Sequence, residues 1–134
     1  MAVDAIHRSW EVNPQVVYYH IRMLGTGAAD PALVEGDALD ATFGTLGIDR
    51  TGVGEYDIQL NTPVAAATPI RVQSVQATGL GAAGVTLICQ CTAIVEGTRT
   101  FTFSVYDEAG AAFELTANEE MFVTIVTRES LAGQ

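Results

Sequence analysis

Two cysteines, two histidines, a loop of carboxylates and one glycine cluster are the residues of this 134-residue chain whose types and spacing could support chemistry. Cys89 and Cys91 stand as C-x-C in "LICQC". On a strand, that spacing puts both thiols on one face about 7 Å apart, which disfavours a disulfide between them. A zinc site needs further ligands, and the only histidines, His7 and His20, have no ligand-like spacing to the cysteines. The pair therefore reads as two small core residues. His20, inside the aromatic run "YYHIR", reads as an ordinary strand residue, and the serines at 9, 74, 104 and 130 belong to no G-x-S-x-G elbow.

The carboxylates gather in "DPALVEGDALD", which holds Asp30, Glu35, Asp37 and Asp40, and in "NEEM", which adds Glu119 and Glu120. Neither has the D-x-D-x-D-G spacing of a calcium loop, so both read as solvated acidic turns. The glycines of "GIDRTGVGEYDIQL" (47–60) would suit a phosphate-gripping loop only if a helix followed, because a helix N-terminus holds the anion. No G-x-G-x-x-G is present, there is no lysine, and the segment runs into an alternation of Tyr56, Ile58 and Leu60 with polar residues. It is a turn between strands. With no catalytic set, metal site or cofactor motif, a non-enzymatic protein without cofactors is expected.

Sixteen acids against six arginines give a net charge of −10. Phosphate affinity comes from clustered Lys and Arg, so nucleic acid is a poor partner, and an anionic membrane would repel the chain. No apolar run approaches the roughly 18 residues of a membrane helix, and the start lacks the pattern of a signal peptide. Synthesis in a cytoplasm is expected. Charged residues make up only 16% of the chain, against roughly 25% in an average soluble domain, and a subunit interface would account for the difference.

Short segments rich in Val, Ile, Thr, Phe and Tyr recur between Gly, Pro and Asp clusters, the pattern of an all-β domain. Strands are expected near 16–25, 38–48, 53–60, 70–77, 84–95, 98–106, 111–115 and 120–127. Eight strands in this length predict a two-sheet antiparallel β-sandwich of jelly-roll type over 16–134, preceded by a short N-terminal arm, 1–15. Glu96-Gly97, where glycine is expected to take the positive φ, and "DEAG" (107–110) read as tight connections, and Pro63 and Pro69 bracket a crossover between sheets.

In 98–106, Phe101, Phe103 and Val105 face one way and Thr100, Thr102 and Ser104 the other. By contrast 84–95 is apolar on both sides, with Val85, Leu87, Cys89, Cys91, Ala93 and Val95 opposing Ile88 and Ile94. Likewise Met121, Val123 and Ile125 oppose Phe122 and Val126. An antiparallel strand apolar on both faces needs a second cover, and a neighbouring subunit would supply it. A homo-oligomer, a trimer first, is therefore expected, with Met121, Val123 and Ile125 as partner-binding candidates. Ile6, Trp10 and Val12 of the arm join them, since tryptophan is enriched among interface hot spots.

"DRTGVGEYDIQL", "PIRVQSVQATG", "FTFSVYDEAGAAFE" and a last "FVTIV" strand resemble a pattern in structural proteins of tailed bacteriophages. Arg50, Thr51, Gly52, Gly54, Tyr56, Ile58 and Leu60 match the first hairpin of that pattern. Phe101, Phe103, Val105, Asp107, Gly110, Ala111 and Ala112 match the second. The resemblance implies a compact β-sandwich similar in outline to C1q and tumour-necrosis-factor heads, used as fibre tips or as trimeric decoration, cement or head-fibre proteins. Only about 15 residues precede the first strand, so the implied role is that of a virion protein on the capsid surface, bound to the major capsid protein and stabilising the shell. The alternative is a receptor- or carbohydrate-binding fibre or spike tip.

Overall fold

The alternation of apolar and polar residues resolves into eight strands. The computed structural model describes residues 14–36, 39–61 and 70–130. In chain order the strands are β1 (Pro14–Leu24), β2 (Ala32–Glu35), β3 (Ile48–Gly52), β4 (Glu55–Gln59), β5 (Ile70–Leu80), β6 (Leu87–Val95), β7 (Thr100–Asp107) and β8 (Glu120–Ser130). They form two antiparallel sheets of four, ordered β2-β1-β8-β5 and β3-β4-β7-β6, and no helix occurs among the described residues. The expected all-β, two-sheet sandwich is present. The jelly-roll wrapping is a finer statement than this strand order supports, since β1–β2, β3–β4 and β6–β7 are all local hairpins within a sheet.

One core lies between the sheets. Phe101, Phe103 and Val105 of β7 are fully buried, as the alternation predicts, and they meet Tyr56 and Ile58 of β4. From the other sheet come Ile21 and Met23 of β1 and Met121, Val123 and Ile125 of β8. Each large side chain buried in this way contributes roughly 1.5–3 kcal/mol by leaving water. At one end of the sandwich, where Pro14, Ile70 and Ser130 meet, the buried Arg99 reaches from one sheet to the other and donates from Nη2 to the Tyr19 hydroxyl at 3.0 Å.

Four expectations need correction. The strand expected over 38–48 is, over the described residues 39–47, a series of turns joined to the sheets by bridges at Leu39 and Thr45 and by the Gln59 amide donating to the Gly47 carbonyl at 3.0 Å. Asp40 causes this: its carboxylate accepts from the Thr42 amide at 2.9 Å and from the Thr42 hydroxyl, winding the chain locally, and Gly44, Leu46 and Gly47 then take positive φ. The strand that replaces it, β2, lies inside the acidic loop. The strand expected over 111–115 is likewise only a bridge, Tyr106 to Ala112. In the Glu96 turn the positive φ falls on Arg99 rather than on Gly97, and the Arg99 amide closes the turn on the Glu96 carbonyl.

The fourth correction concerns β6. A register shift between Cys91 and Ala93 makes Thr92 a bulge. Cys91 pairs with inward-facing Phe103 and Ile94 with inward-facing Phe101, while Ala93 and Val95 pair with Thr102 and Thr100. Directly paired residues share a face. Ile94 therefore joins the Cys91 side and Ala93 and Val95 leave it, the reverse of what uninterrupted alternation predicts. Residues 1–13 and 62–69 lie outside the described residues, and with them the arm residues Ile6, Trp10 and Val12 and the crossover between Pro63 and Pro69.

Candidate interaction surface

The residues that carried the resemblance build a lock between the β3–β4 hairpin and the segment after β7. Gly54 sits at φ +67°, and an added Cβ would lie 2.7 Å from the Val105 carbonyl oxygen and 2.9 Å from the Phe113 amide nitrogen. Only glycine fits that approach without displacing backbone. Arg50 pairs with Glu114 at 2.6 Å and holds its carboxyl below the usual carboxylate range. The Tyr56 hydroxyl accepts from the Leu115 amide at 2.9 Å and donates to Glu114 at 3.4 Å. Burial pushes that phenol up to about 12. Asp107 caps the second hairpin by accepting from the Ala109 and Ala111 amides, with Gly110 at φ 84°. All of these residues make architecture.

The candidate chemical groups are also placed. Asp30 accepts from the Arg50 amide and the Thr45 hydroxyl, both at 2.8 Å, and the first of these contacts leads in lowering its pKa. Asp49 moves the other way, pushed up by burial and by the neighbouring Asp30 and Asp57 carboxyls. Glu119 caps a turn by accepting from the Thr116 amide and hydroxyl. Asp30, Asp40 and Glu119 thus hold local backbone, Glu35 and Glu120 pair with Arg22, Asp37 lies outside the described residues, and no group of three His, Cys, Asp or Glu among the described residues could hold a metal ion. Cys89 and Cys91 are free and pack against the core, and burial raises both thiols, Cys89 to about 11.

Met121, Val123 and Ile125, the partner-binding candidates on β8, lie at 0–1% exposure in the chain's own core. The doubly apolar strand has one face already covered, and the covering element is the opposite sheet. What faces outward from β8 is Phe122, Thr124 and Val126. Their neighbours in the sheet are Arg22, His20 and Tyr18 on β1 and Thr78, Gln76 and Ser74 on β5.

This outer face exposes several large apolar side chains. Tyr18 is 63% and Val16 52% exposed, and Val34 and Leu80 add two further exposed aliphatic groups. Tyr18 stacks on His20 with ring planes 9° apart, and the Arg22 guanidinium lies over the Phe122 ring at 5.1 Å. Glu120 and Glu35 both pair with Arg22, so its charge is met within the face. The outer face of the other sheet is different in kind. Rows of Asp49, Asp57 and Thr102 and of Glu55, Ser104 and Gln90 cross it, with large exposed aliphatics at Ile88 and Val95 on β6 and at Val53 in the β3–β4 turn.

A second feature lies between the edge strands β5 and β6. They close tightly at one end, where Gly79 stands so near Leu87 and Cys89 that an added Cβ would lie 2.7 Å and 2.9 Å from their side chains. Toward the opposite end both strands bulge, β5 between Val72 and Ser74 and β6 at Thr92, and the sandwich opens. The resulting groove of about 660 Å³ is lined by Val72, Val75, Cys91, Ala93 and Ile94 among others, with Glu96 its one charged group. Ile94 points toward the core yet stays 43% exposed, because nothing in the described chain fills the space in front of it. The bulges that make the groove leave no mark in the sequence pattern.

No protein family, curated protein or solved structure matches this chain.

Proposed function

We propose that the protein is a non-enzymatic structural protein of a tailed-phage particle. It sits on the capsid surface as a homo-oligomer, a trimer in the first instance, and stabilises the shell by binding the major capsid protein. The observation that supports this reading best is the asymmetry of the two outer sheet faces. One carries rows of acids, with exposed aliphatics at Ile88 and Val95 on its edge strand, and the other presents Val16, Tyr18, Val34, Phe122 and Leu80 around a self-neutralised arginine. An exposed face of this kind, with an aromatic at its centre, has the composition of an interface hot spot. A protein that binds only the assembled shell stabilises that state by mass action, and three linked copies multiply weak contacts by avidity.

The expected solution mass by light scattering is about three times the 14.1 kDa of one chain. Tyr18→Glu, which places a charge in the face without touching the core, is expected to weaken association by 2 kcal/mol or more, about 30-fold, and to leave the melting transition of the dissociated chain within a few degrees. A wild-type monomer at micromolar concentration would overturn the oligomer. The coplanar Tyr18–His20 pair favours a second reading, a carbohydrate-binding tip. In that case Tyr18→Glu abolishes glycan binding and leaves the mass unchanged.

A further inference from the structure

We infer that the open edge of β1, from Pro14 to His20, pairs antiparallel with the same edge of a second copy of this chain, about a two-fold axis at Val17. β2 meets β1 only at Arg22, Met23 and Leu24, so among the described residues the rest of β1 has a neighbour on the β8 side alone. Two contacts show which main-chain groups look outward. The Gly25 amide donates to the Glu119 carbonyl at 2.9 Å, continuing the ladder by which the odd-numbered residues of β1 bond to β8. An added Cβ at Gly36 would lie 3.0 Å from the His20 carbonyl oxygen, so the even-numbered residues turn theirs to the β2 side. In an antiparallel strand a residue sends its N–H and C=O to the same side, and successive residues alternate. The amides and carbonyls of Val16 and Tyr18 and the amide of His20 therefore stand along the open edge.

The other edges are defended. Natural sheets blunt them with short strands, charges or bulges, because an unpaired edge accepts another strand. β2 has four residues and ends on Glu35, and β3 has five and carries Asp49 and Arg50. β5 bulges between Val72 and Ser74, and β6 at Thr92. β1 has none of these devices: its register with β8 is unbroken, and from Pro14 to Ile21 it holds no Asp, Glu, Lys, Arg or Gly. A second copy fits because the segment complements itself. About the axis, Val16 and the partner's Tyr18 exchange both main-chain bonds, and the His20 amide reaches the partner's Pro14 carbonyl. The two ends that cannot bond fall opposite one another, since Pro14 has no amide hydrogen and the His20 carbonyl has Gly36 against it. On the outer face Val16 and Tyr18, 52% and 63% exposed in one chain, become cross-strand pairs of a β-branched with an aromatic residue. The contact does not depend on the proposed role. Where that role gathers chains in threes, the two-fold pairing joins the groups in pairs.

Hydrogen exchange of the full-length protein reads the pairing by its parity. The Val16, Tyr18 and His20 amides are expected to exchange slowly in concentrated protein and at least about tenfold faster in the single-chain species reached by dilution. Val17, Tyr19 and Ile21, bonded to β8, stay slow in both. Val16→Pro removes an outward N–H and spares the rungs to β8, and is expected to free the Tyr18 and His20 amides to the same degree without dilution. Crosslinking gives an independent readout. In a Cys89→Ala, Cys91→Ala background, Val17→Cys brings two thiols together across the axis, where paired Cα atoms stand about 4.5 Å apart, within disulfide reach. Oxidised glutathione is expected to join them into a species of twice the 14.1 kDa of one chain, whereas Thr124→Cys, on the sheet face, stays single. Tyr18 and His20 amides that exchange at open-chain rates in concentrated wild type would overturn the inference. Protection that persists in the single-chain species would overturn it by giving the edge to another segment of the same chain. A crosslink at Thr124→Cys but not at Val17→Cys would overturn it by giving the contact to the sheet face.

Discussion

Phe103→Ala is expected to lower stability by about 3–5 kcal/mol, the range for removing a fully buried aromatic ring. Phe103 is fully buried at the centre of β7, where it pairs with Tyr56 on one side and Cys91 on the other. Its loss opens the core at the point where both neighbouring strands depend on it. A domain of this size has about 5–15 kcal/mol in total, so the variant loses a large share of its stability, and its thermal midpoint should fall by roughly 10–20 °C. Thr102→Ala, one residue away on the solvent face, is the control, with an expected change under about 1 kcal/mol. Equilibrium denaturation of the two variants checks the assignment of faces, and a Phe103→Ala loss below about 1 kcal/mol would contradict it.

Gly54→Val has the second largest expected effect, a destabilisation of at least about 2 kcal/mol. A β-branched residue at φ +67° pays the left-handed penalty of about 1–2 kcal/mol. Its Cβ also meets the backbone of Val105 and Phe113, which is fixed in the β7 strand and in the pairing that follows it. Because Gly54 holds the hairpin against Glu114 and Leu115, the damage should spread to the Arg50–Glu114 and Tyr56–Leu115 contacts. Slowed-exchange amides at Leu115 and Val105 should lose protection together in Gly54→Val, measured by hydrogen exchange. Gly97→Val, whose added Cβ meets nothing within 4 Å, should leave both unchanged.

These two residues also show which parts of the molecule are legible in the sequence. Period-two alternation is a local signal, and it places Phe101, Phe103, Val105, Tyr56 and Ile58 in the core without knowledge of their partners. The strand expected over 38–48 fails for an equally local reason that propensity does not weigh, the Asp40 side chain competing for the backbone of Thr42. Met121, Val123 and Ile125 illustrate a different limit. The pattern establishes that β8 is apolar on two faces, but which face a sheet covers and which remains outside is decided by the opposite sheet. The groove is further still from the sequence, since it arises where the bulged edges of two opposite sheets fail to meet. The lock of Arg50, Gly54 and Tyr56 lies between these cases: the motif is visible, and its partners Glu114 and Leu115 are not.

The proposed role rests on a surface, Tyr18 and its neighbours on the β2-β1-β8-β5 sheet, and on the resemblance carried by the two hairpins. Both meet in one observation, a cryo-electron reconstruction of the particle to which the proposed role assigns this chain. The account predicts density for the sandwich on the outside of the head, in groups of three, with the Tyr18 face turned into a contact and the acidic face toward solvent. A particle whose head carries no copy of the chain, or a trimer that buries the acidic face and leaves Tyr18 exposed, would contradict it.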